Sequence, residues 1–322
     1  MSSRKQEGAV SRPGLAASRS IDIIEFLSLF PERGFTLSEI VRATQINIAS
    51  CYAVLNRLTE RGYLTRSDEK TYAIGPSLIA VGQAGFKSQP IIARARRAAE
   101  ELVRDLDVPV LLSTVVGGEI LAVLSLESAD GRSAGMWVGE RLPLVPPVGA
   151  PFLAWASEEA VDAWIARRAA RPAKALVKEW RRDLELTRER GFQIILRAEA
   201  APSTASLISQ MASDARAGDY KDELKRLINS FEHQKAQPET LADDEIYDVM
   251  LLASPIFDEK GEAVFNLALG GFSQKLTGAM ISGYADRLMR TCLDIMRADR
   301  SQLRRREREP AAARRSRSAA AE

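Results

Sequence analysis

The stretch from Ser18 to Pro76 constrains this chain most, because it strings five local signals into an order that few folds accept. Ile21, Ile24 and Leu27, with Leu29 or Phe30, recur at helical spacing from Ser18 to Phe30, and Pro31 and Gly34 end the run. Thr36-Leu37-Ser38-Glu39 is a capping box: a Thr hydroxyl accepts from the amide three residues on, and Glu39 reaches back. It predicts a helix from Leu37 to Thr44 that buries Leu37, Ile40 and Val41. After the turn Gln45-Ile46-Asn47, a third helix is expected from Ile48 to Arg61 with Val54, Leu55 and Leu58 inward, and Gly62 is placed to stop it. Tyr63–Arg66 and Thr71–Ile74 then read as two short strands joined by Ser67-Asp68-Glu69-Lys70. Helix, helix, short turn, helix and hairpin in succession is a winged helix-turn-helix.

Beyond it the periodicity changes. Pro76 to Lys87 carries an apolar stripe (Leu78, Ile79, Val81, Phe86) and reads as a connector helix, assigned to 77–90. A helix from Ile91 to Leu106 follows, with Ile92, Ala95, Ala99, Leu102 and Val103 on one side. Val110–Val116 and Ile120–Leu126 flank Gly117-Gly118, a hairpin turn of the type that needs positive φ. Met136-Trp137-Val138 is expected as a third strand. Helices are expected at Ser157–Arg168 and Ala173–Arg190, the second capped by Gly191, before a strand at Phe192–Leu196. Val249–Phe257 and Ala263–Gly270 frame the turn Asp258-Glu259-Lys260-Gly261, and a long helix from Thr277 to Arg297 closes the unit. The expectation is an α+β chain: a flexible leader (1–17), the winged helix-turn-helix (18–76), the connector, an antiparallel-sheet domain (91–298) and a basic, disordered tail (299–322). A helical insertion at about 198–245 is marked by Tyr220, Leu224, Leu227, Ile228 and Phe231 at helical spacing, with Asp219 as its cap.

Composition excludes much chemistry. The one histidine, His233, lies in a polar neighbourhood and reads as a solvated helix-surface residue, which leaves histidine-based metal sites and nucleophile–histidine pairs without parts. GxGxxG, GxxxxGK[ST] and GxSxG are absent, so no catalytic residue, metal or cofactor is expected. Cys51 and Cys292 are too far apart in sequence for a disulfide framework, which fits a reducing, cytoplasmic setting. No run approaches the ~18 apolar residues of a membrane helix, and MSSRKQEGAVSRPG lacks the apolar core of a secretory signal. The formal charge is +2, but the tail from Arg297 is arginine-rich, either solvating itself or touching a polyanion.

A winged helix that reads duplex DNA needs cations for phosphates and side chains that reach base edges. The third helix offers Asn47, Ser50, Tyr52, Asn56 and Arg57. Arg57 suits either guanine or a phosphate, and Asn47 either a base edge or the helix cap. Thr36, Ser38 and Arg42 sit where the preceding helix would meet the backbone, and Arg66 and Lys70 belong to the wing. Cys51 has no flanking cation to activate it and reads as a core residue more readily than a redox sensor.

Ser18-Arg19-Ser20-Ile21, Leu37-Ser38-Glu39-Ile40, Tyr52-Ala53-Val54-Leu55, Arg61-Gly62-Tyr63-Leu64 and Tyr72-Ala73-Ile74-Gly75 together resemble the IclR family of bacterial transcription regulators. So do Gly139-Glu140-Arg141-Leu142-Pro143, Gly149-Ala150-Pro151-Phe152-Leu153-Ala154, Arg188-Glu189-Arg190-Gly191-Phe192 and Pro255-Ile256-Phe257-Asp258. The resemblance runs from about Ser18 to Arg297, the insertion apart. It implies a homodimeric or tetrameric regulator of a palindromic operator, with a GAF-like domain that binds a small effector. The chain departs from the family at Ala53, where an arginine is usual, and at Val145-Pro146-Pro147, where a histidine is common. It also has Leu251 in place of a cysteine, and Ala268 and Gly270 in place of hydroxyls. With Met136, Gly149, Ala150, Leu251, Ala268 and Gly270 as pocket residues, these departures imply a site stripped of polar groups, suited to an apolar or aromatic effector. Backbone amides at Gly149-Ala150, opening a helix near Phe152, could hold a carboxylate, or Gly149 could serve the turn alone. A winged helix that docks a protein rather than DNA is the alternative, which Ala53 favours slightly. An enzyme built on the sheet domain ranks last.

Overall fold

The computed structural model describes residues 14–168, 172–197 and 237–297. They fall into two compact units that meet in sequence at Ala84 and Gly85. The proposed helix around Tyr220–Phe231, with Asp219 and His233, lies outside the described residues, as do residues 1–13 and the arginine-rich tail from 298.

The first unit holds three helices, α1 (Leu15–Ser28), α2 (Leu37–Thr44) and α3 (Ile48–Glu60), and three short strands, β1 (Phe35–Thr36), β2 (Leu64–Arg66) and β3 (Thr71–Ile74), in the order β1-β3-β2. α1 begins inside the expected leader, and its inward face is Ile23, Leu27 and then Phe30, not the face through Ile21. Ile21 is 54% exposed, since two residues at ~100° each carry it round the helix from Ile23. Phe30 and Phe26 pack on Phe35 with ring centroids 5.3 and 4.9 Å away, tying α1 to the first strand. Both arms of the Thr36–Glu39 capping box are made, and Gln45 ends α2 in the left-handed region at φ 57°. Gly75 fits its site for a steric reason: a Cβ there would lie 2.4 Å from the carbonyl oxygen of Gly62. α4 (Pro76–Ser88) then leads out of this unit with no buried residue, Ile79 and Val81 standing 67% and 52% exposed.

The second unit is a six-stranded sheet, antiparallel throughout, in the order β6-β5-β4-β10-β9-β7. Its strands are β4 (Val110–Val116), β5 (Glu119–Leu126), β6 (Arg141–Pro143), β7 (Gln193–Leu196), β9 (Val249–Phe257) and β10 (Ala263–Gly270). The small strands β8 (Ile246–Tyr247) and β11 (Leu276–Thr277) pair beside it. The Gly117-Gly118 hairpin forms with φ of 61° and 86°.

Alternation along the strands sorts side chains to two cores. Val110, Leu112, Leu252, Leu267 and Leu269 meet α5 (Pro90–Leu106), through Ala95, Ala99 and Leu102, and the closing helix α9 (278–297), through Ile281, Ala285 and Leu288. Leu111, Ala253 and Ala268 point the other way, toward the short helix α6 (Ala150–Leu153), α7 (Glu158–Arg168) and α8 (Lys174–Arg190). On that side Trp164 is buried and its indole N–H donates to the Val148 carbonyl at 3.1 Å.

Met136-Trp137-Val138 is not a strand. Gly135 and Gly139, at φ 101° and 90°, turn the chain out of extended geometry on either side, and β6 takes the edge position instead. After β7 the described chain resumes at Gln237, which is stitched to the elements before the break. Its side-chain oxygen accepts from Ile194 N at 2.9 Å, and its amide nitrogen donates to Thr187 Oγ1 at 3.0 Å.

Candidate functional site

In the first unit the sequence builds α3 as a helix held by one face only. Cys51 and Leu55 are buried, while Ile48 and Tyr52 are 60% and 46% exposed, with Ala49, Ala53 and Arg57 on the same outward side. The expected contact residues divide into two groups. Asn47 is the cap of α3, its side-chain oxygen accepting from Ser50 N at 2.9 Å. The Thr36 hydroxyl is taken up by Glu39, to which it donates at 2.8 Å. Ser50 Oγ accepts from Arg19 on α1 at 2.9 Å, a bond that fixes the start of α3 against the first helix. These three hold the helix–turn–helix angle. Ser38, Arg42 and Tyr52 are free at the surface with Asn56 half-buried, and Arg57 is exposed and paired with Glu60 at 2.8 Å. On the wing, Arg66 lies with its guanidinium 5.5 Å from the Tyr72 ring centroid, and Lys70 occupies the turn at φ 62°. Cys51 is fully buried, which pushes its thiol up to about 11 and leaves it as core rather than a reactive group.

In the second unit a cavity of about 150 Å³ lies on the α6 side of the sheet. Its floor is the alternate residues of neighbouring strands: Leu111 and Ser113 on β4, Asn266 on β10, Leu251 and Ala253 on β9, Gln193 and Ile195 on β7. The loops 133–136 and 147–149 and the helix start at Pro151-Phe152 wall it in. Of the expected pocket residues, Met136, Gly149 and Leu251 line it. Ala150 and Ala268 are fully packed behind the lining, and at Gly270 a Cβ would come within 2.7 Å of Leu251 Cδ1, which would have to shift.

Two further expectations meet the structure here. α6 is a single turn of four residues whose Pro151 has no N–H and whose Phe152 amide donates to the Gly149 carbonyl, so neither of these two positions offers a free amide to a carboxylate. Gly149, at φ 91°, serves the turn: a Cβ there would strike Leu144. Nor is the cavity stripped of polar groups, for Ser113, Gln193 and Asn266 line it, with Arg197 beside them. The departures at Ala268 and Gly270 pointed to the right strand but to the wrong residues on it. Asn266, two positions earlier on the same face, carries the polar group, and period-2 alternation in Ala263–Gly270 was the signal that could have found it.

Glu140 ends the loop that carries Met136. It is 1% exposed, accepts from Trp137 N at 3.0 Å, and burial pushes its carboxyl up to about 7. Asp183 on α8 is likewise raised, to about 6, by burial, although Gln237 N donates to it at 3.3 Å. Among the described residues no cluster of His, Cys, Asp and Glu could hold a metal ion, and no helix is long and apolar enough to cross a membrane.

Fold and cavity together define a two-part α+β protein, a winged helix-turn-helix followed by an antiparallel-sheet unit with a pocket for a small molecule. The model of the IclR helix-turn-helix domain matches residues 16–68, and that of the bacterial transcriptional regulator IclR C-terminal domain matches 83–201, together more than half of the chain. The chain belongs to the IclR family. It is 29% identical over 141 residues to the HTH-type transcriptional regulator KipR of Bacillus subtilis, a match covering 43% of this chain and 56% of that protein. The chain thus spans little more than half the length of this curated relative. An IclR transcriptional regulator from Alicyclobacillus acidocaldarius shares the fold at TM-score 0.62 and 17% identity, over 87% of this chain and 97% of the other. An IclR homologue from Microbacterium hydrocarbonoxydans, crystallised with 4-hydroxybenzoate, does so at TM-score 0.59 and 15% identity, over 89% and 99%.

Proposed function

We propose that this protein is a cytoplasmic, DNA-binding transcriptional regulator whose affinity for a palindromic operator is switched by a small molecule held in the sheet-domain cavity. The observation that carries the reading is α3: one face anchored through Cys51 and Leu55, the other presenting Tyr52, Asn56 and Arg57 to solvent, with Arg42, Arg66 and Lys70 on the elements beside it. A helix so placed suits the major groove, where side chains meet base edges while flanking cations meet phosphates. Residues 14–84 carry as many acids as bases, so one copy has little net attraction for DNA. The exposed Ile79 and Val81 of α4 offer an apolar strip for a second copy of the chain, which supports two copies acting together on paired half-sites. The effector acts by favouring one arrangement of the assembled protein over another, which changes the separation of paired α3 helices.

Fluorescence anisotropy on labelled DNA from upstream of the protein's own gene, beside a scrambled duplex and over a range of salt, tests the reading. Preference for the upstream sequence with log K falling linearly in log salt is the expected result. Absence of binding to either duplex at low salt overturns it.

A further inference from the structure

Ser113 and Asn266 face each other directly across the β4–β10 ladder, and both line the cavity while being 3% and 8% exposed. Asn266 Oδ1 has no hydrogen-bond partner among the described residues. Gln193, 4% exposed, lines the same cavity from β7. A buried amide left without a partner is costly, and a ligand that supplies one recovers that cost on binding. Apart from Ser133 and Arg197 the remaining walls are mostly apolar, with Leu111, Ile120, Leu142 and Phe152 among them.

Charge and size narrow the ligand. Arg197 is the single charged residue among those lining the cavity, and its Nε sits 3.3 Å from Asp248 Oδ1. A carboxylate would have to share Arg197 with Asp248, or lie ionised against apolar walls and neutral amides. Either route carries a desolvation penalty that an uncharged group escapes. A cavity of about 150 Å³ is of the size that accepts one benzene-sized ring.

Resting on the effector reading above, we infer that the cavity selects an uncharged single-ring compound bearing a hydroxyl or carboxamide, which Asn266 and Ser113 hydrogen-bond, and rejects the matching carboxylate. The amide of Asn266 both donates and accepts, so it satisfies a phenolic hydroxyl or a carboxamide, whereas a carboxylate only accepts.

The test is calorimetric titration of the full chain at pH 7.5 with 4-methylphenol, toluene, 4-hydroxybenzamide and 4-hydroxybenzoate. 4-Methylphenol is expected to bind at least tenfold tighter than toluene, and 4-hydroxybenzamide at least tenfold tighter than 4-hydroxybenzoate. Asn266→Leu keeps the side-chain volume and removes the amide, so it should bring 4-methylphenol and toluene within about twofold while toluene still binds. Ser113→Ala, an independent change on the facing strand, should narrow the same gap if Asn266→Leu fails to fold. Equal or tighter binding of 4-hydroxybenzoate, or an undiminished phenol preference in the folded variants, overturns the inference. So does failure of every probe to bind a preparation that still recognises the upstream duplex, and that result leaves the regulator reading standing. Loss of duplex recognition alone, with the ring preferences intact, refutes the regulator reading and leaves the cavity's selectivity in place.

Discussion

Glu140→Gln should make the second unit more stable, and by an amount that grows with pH. Glu140 is fully enclosed, accepts one backbone N–H from Trp137, and is raised from its ordinary value of 4.5 to about 7 by burial. A carboxyl raised on folding stabilises the folded state most when protonated in both states, below pH 4.5, and that contribution is lost as pH rises toward 7. From these two values the loss is about 1 kcal/mol by pH 5 and about 3 kcal/mol by pH 8. Glutamine copies the neutral acid, keeps an oxygen for Trp137 N and does not titrate. The stability gap between variant and wild type should therefore open by about 2.5 kcal/mol from pH 5 to pH 8. Asp183 titrates in both proteins and drops out of the difference. All four tryptophans, Trp137, Trp155, Trp164 and Trp180, belong to the second unit, so urea unfolding followed by their fluorescence reads that unit alone. Stability curves that run parallel across the pH range, within about 0.5 kcal/mol, would refute the burial argument.

Thr36→Ala removes one arm of the capping box and should lower the stability of the first unit by about 1 kcal/mol, read by circular dichroism with hydrogen exchange localised to α2. Gly75→Ala pushes a methyl group into the backbone of Gly62 and Tyr63, so it should displace the wing and abolish duplex binding while leaving the tryptophan-monitored melt of the second unit unchanged. Arg66→Ala should weaken upstream and scrambled duplexes alike and make the salt slope shallower by about 1 for each bound copy, the signature of a lost phosphate contact; a change in sequence preference instead would assign Arg66 to base reading. Gly191→Ala places a Cβ 2.9 Å from Met289 Sδ at φ 83° and should lower the second unit's stability by about 1–2 kcal/mol, read from its urea unfolding.

Where signals are local, the sequence and the structure agree closely. β9 and β10 have the expected bounds because alternation and the Asp258–Gly261 turn specify them without help from distant residues. The Thr36–Glu39 box and the Gly117-Gly118 hairpin are equally self-contained. Met136–Val138 shows the limit: three apolar residues look like a strand, but the glycines on either side decide the backbone path, and their φ follows from how the loop closes over the cavity. The cavity was less legible still. Family departures drew attention to Leu251, Ala268 and Gly270, yet which strand residues face open space depends on where the 133–136 and 147–149 loops settle, a property of the tertiary fold. Asn266, Ser113 and Gln193 become neighbours of one volume only once three separate strands are in register.

The stitching of β7 also ties one edge of the sheet to side chains outside it. The chain leaves the sheet at Arg197, whose amide donates to the Asp248 carbonyl at 2.7 Å, and re-enters at Gln237, clasped by Ile194 and Thr187. Thr187 lies on α8, Ile194 on β7 and Asp248 just before β9, so these bonds tie three separate elements together at one edge of the sheet. The register of the edge strand β7 is therefore set from outside the sheet as well as by its ladder with β9, so a change at Gln237 reaches the sheet without touching a strand residue.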